Sequence, residues 1–194
     1  MLGNTILDKA KSYIGLTESP KNSNNVIFNT DYYGHQVSGS SYPWCCTFVW
    51  DIFRMCEASK YFYGGKKTAS CTTLMNYYKK NHPDWVITDV TKASAGDIVL
   101  FQFDKDKYAD HVGIFDHAIS DTYYVTVEGN TSSSDKGSQD NGGCVASKTR
   151  KKSQLMCIIH IPFEDAPKKQ NPYKEPTTVV RYNSTKVNVV SEDV

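Results

Sequence analysis

Cys45 has both the residue type and the setting of a nucleophile. It follows Tyr42-Pro43-Trp44 and precedes an apolar run, so we predict a helix that starts at Pro43 and is capped by Ser40 or Ser41. At the start of a helix, the partial positive charge of the macrodipole favours the thiolate. The sequence therefore predicts a reactive Cys45 with a lowered pKa, although a buried cysteine can also serve only as a small apolar side chain.

A histidine and a carboxylate on two neighbouring strands would complete the groups that a cysteine hydrolase needs. If Ser120-Asp121 forms a hairpin turn, His111 lies opposite Asn130, and if the turn is at Ile119-Ser120, it lies opposite Glu128. Both registers place these three side chains on one face of the hairpin. We predict that His111 is the general base and that Glu128 or Asn130 orients its ring. The alternative is a half-buried strand histidine with a charge at a strand end.

The hydrophobic period changes along the chain from that of helices to that of strands. Helices are predicted over residues 5–14, from residue 43 onward, and from residue 71 to just before His82, with a long loop over 22–41. Strands with alternating patterns are predicted over residues 85–88, 97–103, 111–117, 122–128, 145–151 and 154–161. Helices followed by a strand meander indicate an α+β domain, in which an antiparallel sheet of about six strands packs on the central helix.

Composition excludes several classes of partner. The 194 residues carry a net charge of +1, and no basic stripe indicates nucleic-acid binding. The basic run 148–152 is interpreted as a solvated strand or loop. No apolar run approaches the length of a membrane span, so we expect no membrane insertion. Six cysteines without a CxxC spacing indicate neither a zinc ribbon nor a disulfide framework. We expect the protein to be a monomer.

Four blocks of the sequence resemble, in order, those of the CHAP domain (cysteine, histidine-dependent amidohydrolase/peptidase). The resemblance covers roughly residues 5–163 and implies a papain-like core. The blocks are Tyr42-Pro43-Trp44-Cys45-Cys46-Thr47-Phe48-Val49, Gly96-Asp97-Ile98-Val99-Leu100-Phe101, Ala109-Asp110-His111-Val112-Gly113-Ile114 and Val127-Glu128-Gly129-Asn130-Thr131.

The resemblance implies a peptidoglycan hydrolase of the endolysin type found in phages and prophages. Such an enzyme cleaves either the amide between muramic acid and the stem peptide or a bond within stem and cross-bridge peptides. Cys45 would be the nucleophile, His111 the base and then acid, and Glu128 the orienting residue, with Asn130 as its helper or substitute. Tyr42 and Trp44 would contact the substrate or its oxyanion.

The sequence departs from the family pattern at Cys46, where a small residue such as alanine is usual. The position of Cys45 directly after Trp44 favours Cys45 as the nucleophile. Two other functions are compatible with the same residues. One is a papain-like peptidase or toxin that acts on a non-wall peptide, and the other is a catalytically silent module that binds peptidoglycan through Tyr32, Tyr33 and Tyr42.

We expect no obligatory cofactor, but a calcium site is an open alternative. Asp104, Asp106 and Asp110 alternate like the oxygen ligands of a calcium loop, and some members of the family bind calcium near the active site. Lys105 and Lys107 interrupt the pattern, and the glycine and terminal glutamate of an EF-hand are missing. A charged hairpin turn would explain the same residues.

The sequence divides into a catalytic domain over residues 1–163 and a proline-containing linker and tail over residues 164–194. The first residues lead directly into a polar amphipathic helix, so no secretory signal peptide is predicted. We therefore expect synthesis in the bacterial cytoplasm and action on the cell wall after release or export.

Overall fold

The structure is a computed structural model that describes residues 1–104, 106–134, 137–138 and 141–164. Its helices are α1 (Leu2–Lys11), α2 (Ile27–Tyr33), α3 (Cys45–Met55) and α4 (Cys71–Asn81). Its strands are β1 (Val86–Ile87), β2 (Ile98–Phe101), β3 (His111–Ala118), β4 (Tyr123–Thr131), β5 (Cys144–Lys151) and β6 (Leu155–Ile159). The predicted linker and tail, apart from residue 164, lie outside the described residues.

The strands form one antiparallel sheet in the order β1-β6-β2-β3-β4-β5. The predicted α+β architecture, with helices first and a six-stranded antiparallel sheet after them, is therefore confirmed. Among the helices in the described part of the chain, none is both long enough and apolar enough to cross a membrane.

Helix α3 lies at the centre of the hydrophobic core. Phe48, Ile52 and Phe53 are fully buried and belong to the same apolar cluster as Val112 of β3 and Val127 of β4. Since β3 and β4 also carry the predicted catalytic histidine and carboxylate, packing of α3 on this pair of strands fixes the start of α3 relative to both.

Two polar side chains of α3, Thr47 and Asp51, are buried as well, because α2 packs on this side of the helix. Thr47 donates a hydrogen bond to Asn29 of α2 at 2.8 Å, and Asp51 accepts one from Arg54 at 2.6 Å. The prediction of a loop over 22–41 is therefore wrong for α2. This seven-residue helix is too short to be stable alone and is held by tertiary contacts such as that of the buried Phe28.

The start of α3 differs from the prediction. The helix begins at Cys45 and not at Pro43, and its N-cap residue is Trp44, without a side-chain capping bond. The neighbouring helix α4 follows the expected pattern, because the Ser70 hydroxyl accepts a hydrogen bond from the Thr73 amide at 3.2 Å.

For the β3-β4 hairpin, one of the two predicted registers is correct, but the predicted two-residue turn is wrong. Ile114 pairs with Val127, as the turn at Ser120-Asp121 predicts. The register shifts by one residue between Phe115 and His117, and the strands are joined by residues 119–122 instead of a two-residue turn. The bulge absorbs the difference, so the pairs Ile114–Val127 and Phe115–Thr126 keep the predicted register.

The contact of β4 with α3 predicts a stability effect at Gly129. A Cβ atom at this position would lie 2.7 Å from Cβ of Phe48 and 2.8 Å from Cζ3 of Trp44, both in the core. We expect Gly129→Ala to lower the free energy of unfolding by about 1–3 kcal/mol, as overpacking of a core does. Urea denaturation followed by circular dichroism measures the change.

The matched control is Ser147→Ala, at an exposed position on the adjacent strand β5. We expect it to change the free energy of unfolding by less than about 0.5 kcal/mol. Equal stability of the Gly129→Ala protein and the wild type would contradict the tight packing described between β4 and α3.

Candidate active site

Cys45 lies at the amino end of α3 and faces a cavity of about 340 Å³. Only 5% of its surface is exposed, and its sulfur lies 3.7 Å from the sulfur of Cys71, the first residue of α4. The cavity is open to solvent over part of its wall and is lined by Ser40, Pro43, Cys45, Ala69, Ser70, Cys71, Thr72, Ala109, Asp110 and Asn141.

His111 connects Cys45 to Glu128. It is the first residue of β3, is fully buried, and interacts electrostatically with the Cys45 thiol. Its Nε2 lies 3.0 Å from Oε2 of Glu128, while Nδ1 makes no hydrogen bond in the structure. Nδ1 is therefore the ring nitrogen that remains for the Cys45 proton.

Glu128 is held from three sides. Besides His111, Arg150 donates to it twice, from Nε to Oε1 at 2.8 Å and from Nη2 to Oε2, and the Thr126 hydroxyl donates to Oε1 at 2.6 Å. Burial disfavours the charged carboxylate, but the bonds from Arg150 and His111 outweigh it and lower the pKa of Glu128 to about 2. The carboxylate is thus charged and fixed in orientation at neutral pH.

Arg150 was not predicted as a site residue, and the interpretation of 148–152 as a solvated strand or loop is wrong for Lys148 and Arg150. Lys148 and Arg150 are 5% and 2% exposed because they share the inward face of β5. The Arg150 guanidinium also lies over the rings of Phe101 and Phe103, 5.2 and 5.4 Å from their centroids. The sequence signal that could have identified Arg150 is the strand period of two, which places it on the same face as Cys144 and Ala146.

The protonation of Cys45 and His111 differs from the expectation. The pKa of Cys45 is raised well above its usual range, first by the hydrogen bond with Cys71 and then by burial, and the contact with His111 only partly opposes this. The prediction of a lowered pKa is therefore wrong, since burial and a neighbouring thiol outweigh the helix dipole. Burial disfavours the imidazolium of His111, but Cys45 and Glu128 outweigh it and raise its pKa to about 9.

The other predicted site residues have different positions. Asn130 is fully buried in β4 next to Glu128, with a left-handed φ of 58°. Trp44 is fully buried, and its indole nitrogen donates to Oε1 of Glu18 at 2.9 Å. Tyr42 is half-buried and its ring packs on Tyr33. Neither Tyr42 nor Trp44 lines the cavity at Cys45.

The three aspartates of the predicted calcium loop are close together in the structure. Their carboxylate oxygens, from Asp104, Asp106 and Asp110, lie within 4.8 Å of one another. Asp110 also accepts a hydrogen bond from the Phe103 amide and lines the cavity at Cys45. Oxygen ligands of this kind suit a hard cation such as calcium.

Comparison with known proteins identifies the same region. Residues 37–130 match the family model of the CHAP domain. Among solved structures, the crystal structure of the wild-type endolysin LysIME-EF1 has a similar fold, with a TM-score of 0.52 and 17% sequence identity. The match covers 84% of this chain and 65% of that chain, so the chain spans about two thirds of the endolysin. No curated protein matches the chain.

The pKa of His111 yields a test of its contact with Glu128. We expect an NMR titration of the His111 imidazole to give a pKa of about 9 in the wild type, and a lower value in Glu128→Gln because the neutral amide no longer stabilises the imidazolium. Since the value in the fold lies above the usual 6.5, this stabilisation is complete below pH 6.5 and is lost as the pH rises through 9. Glu57→Gln, at an exposed site, is the control and should leave the His111 titration unchanged.

Removal of the Arg150 cation should destabilise the fold, because it leaves the buried Glu128 without its main partner. For Arg150→Met we expect a loss of about 3–5 kcal/mol in the free energy of unfolding at pH 7, as for other broken buried ion pairs. Lys151→Met, at the exposed neighbouring position, should lose far less. Since the pKa of Glu128 is lowered from 4.5 to about 2, its stabilisation is present above pH 4.5 and is lost as the pH falls through 2. The free energies of unfolding of the wild type and of Arg150→Met should therefore converge in strong acid.

Proposed function

From the match of residues 37–130 to the family model of the CHAP domain, we propose that the protein is a peptidoglycan hydrolase that cleaves an amide bond through a Cys45 thiolate. The observation that carries the proposal is the hydrogen bond between His111 and Glu128, with the other ring nitrogen of His111 left without a partner and the Cys45 thiol in electrostatic interaction with His111 at the wall of an open cavity. This line supplies a nucleophile, a base and an orienting group in the order that acyl transfer requires.

The first step is attack on the amide carbonyl. Nδ1 of neutral His111 takes the Cys45 proton. The imidazolium that forms is stabilised by the new Cys45 thiolate and by Glu128 at Nε2, and these two partners are what raises the pKa of His111. The sulfur then adds to the carbonyl carbon, and the oxyanion that forms accepts hydrogen bonds from backbone amides at the start of α3. Because the pKa of Cys45 is raised, the thiolate forms together with the imidazolium and not independently of it.

The second step releases the two products. Protonated His111 donates its proton to the leaving amine, the carbon–nitrogen bond breaks, and an acyl-enzyme remains on Cys45. Neutral His111 then takes a proton from water, which attacks the thioester and regenerates the thiol. Glu128 keeps its charge throughout, because Arg150 holds its pKa at about 2.

We further propose that residues 1–163 form the catalytic unit and that a metal is not obligatory for the reaction, since the three side chains supply both nucleophile and base. The enzyme would be made in the bacterial cytoplasm and would act on the wall as a monomer after release or export. The endolysin LysIME-EF1 has a similar fold, which supports the assignment to wall hydrolysis over a papain-like peptidase acting on another peptide.

The test is digestion of purified peptidoglycan from several bacteria, with mass spectrometry of the released fragments. We expect the wild type to release fragments and Cys45→Ala to release none, because the nucleophile is missing. Free stem peptides with an amino-terminal L-Ala would identify an amidase, and shortened or uncrosslinked muropeptides an endopeptidase. Fragments released equally by Cys45→Ala would overturn the assignment of the nucleophile.

Two controls accompany this digestion. Cys46→Ala removes the adjacent thiol, which donates to the Thr68 carbonyl at 3.2 Å and does not line the cavity, so it should retain activity. Added chelator should leave the rate unchanged. Loss of activity with chelator and its recovery with calcium would instead assign a role to Asp104, Asp106 and Asp110. No release from any wall, with an intact fold, would favour the non-wall peptidase or the silent binding module.

A further inference from the structure

Cys71 is the closest reactive neighbour of the proposed nucleophile and has no role in the hydrolytic steps above. Its sulfur lies 3.7 Å from that of Cys45, across a separation of 26 residues in the chain. The six cysteines are all free thiols in the structure. Since a disulfide has a sulfur–sulfur distance of about 2.0 Å, the two sulfurs must approach by somewhat less than 2 Å, a distance on the scale of small side-chain rotations.

The cavity gives an oxidant access to this pair. Cys45 and Cys71 both line it, although only 5% and 7% of their surfaces are exposed. His111 interacts electrostatically with Cys45, and its Nδ1 has no hydrogen-bond partner and can accept the thiol proton, which provides the thiolate that attacks an oxidant. The same arrangement that activates Cys45 toward a carbonyl thus also activates it toward a peroxide.

The other cysteines are less suitable partners. Cys46 contacts Cys71, but its hydrogen is donated to the Thr68 carbonyl and its side chain does not line the cavity. Cys144, the first residue of β5, donates a hydrogen bond to the Thr131 carbonyl at 2.8 Å. Cys71 is therefore the thiol placed to react with an oxidised Cys45.

We propose that Cys45 and Cys71 form an oxidation site, which a peroxide closes to an intramolecular disulfide and a dithiol reopens. That closure stops wall hydrolysis is a consequence that rests on the proposed function, because the disulfide removes the nucleophile. Formation of the disulfide itself depends only on the two sulfurs and the cavity.

The reaction balances in two steps. The Cys45 thiolate attacks one oxygen of hydrogen peroxide, the oxygen–oxygen bond breaks, and Cys45 sulfenic acid forms while hydroxide takes up the proton lost from the thiol. The Cys71 sulfur then attacks the Cys45 sulfur, the sulfur–oxygen bond breaks, and the departing hydroxide takes the Cys71 proton. Two thiols and one peroxide thus give one disulfide and two waters. A dithiol reverses the result by two exchange steps.

The test treats the fully reduced full-length protein with hydrogen peroxide and measures its intact mass. We expect the wild type to lose the mass of two hydrogen atoms and to recover it with dithiothreitol. Trypsin digestion under non-reducing conditions should then join the peptide 22–54, which contains Cys45, to the peptide 68–79, which contains Cys71. Uptake of oxygen atoms without loss of hydrogen would overturn the proposal.

Two variants assign the sulfurs. Cys46→Ala should form the same cross-link as the wild type, which shows that the sulfur in peptide 22–54 is that of Cys45. Cys71→Ala should form none, and its Cys45 should instead proceed to oxygenated acids that dithiothreitol does not restore. Loss of the cross-link in Cys46→Ala, or its retention in Cys71→Ala, would contradict the pairing. Cys71→Ser, which keeps a similar volume, replaces Cys71→Ala if thermal melting shows that the alanine variant is unfolded.

Activity and cross-linking are read separately in this experiment. If the wild type hydrolyses walls, peroxide should abolish the activity in step with the cross-link, and dithiothreitol should restore both. If the wild type forms the cross-link but hydrolyses no wall, the proposed function fails while the oxidation site stands. Full wall hydrolysis by the completely cross-linked protein would overturn the assignment of Cys45 as nucleophile.

Discussion

The buried contacts among Arg150, Glu128 and His111 are the constraint on which the site depends. A carboxylate without a partner inside a protein would take up a proton or destabilise the fold, because burial disfavours its charge. Here two donors from Arg150 and one from Thr126 keep Glu128 charged. The charged carboxylate in turn fixes the orientation of the His111 ring and leaves Nδ1 for Cys45.

This arrangement requires the three central strands and α3 to keep their relative positions. His111, Glu128 and Arg150 come from β3, β4 and β5, which are consecutive in the sheet. The apolar cluster between α3 and the sheet sets the distance from this row of side chains to Cys45. Gly129 contributes to the same contact, because the absence of a Cβ lets β4 approach the ring of Phe48 and the indole of Trp44.

The cavity in front of Cys45 explains how the proposed nucleophile can be buried and still be reached by a substrate. Little of the thiol surface is exposed, and its pKa is raised by Cys71 and by burial, so it stays protonated until His111 acts on it. A thiol of this kind is protected from non-specific reaction in the absence of a bound substrate. The nearby Cys71 sulfur adds a second chemistry to the same position, which links the reactivity of the site to the redox state of its surroundings.

The sequence by itself predicted most of the elements and the set of candidate site residues. The change of hydrophobic period indicated helices followed by six antiparallel strands. The predicted hairpin registers placed His111, Glu128 and Asn130 on one face, and the structure brings His111 and Glu128 together. These features follow from local periodicity, which side-chain patterns record directly. The matching family model over residues 37–130 agrees with the blocks that carried the resemblance.

Only the tertiary structure decided which groups surround these residues. The short helix α2 is stabilised by contacts with α3 that are distant in sequence, so local propensity did not show it. Arg150 looked like part of a solvated basic run until the strand that carries it was placed beside Glu128. The raised pKa of Cys45 likewise follows from a neighbour 26 residues away. Charge, burial and hydrogen bonding at a site are sums over elements that only folding brings together, and no pattern within one element records them.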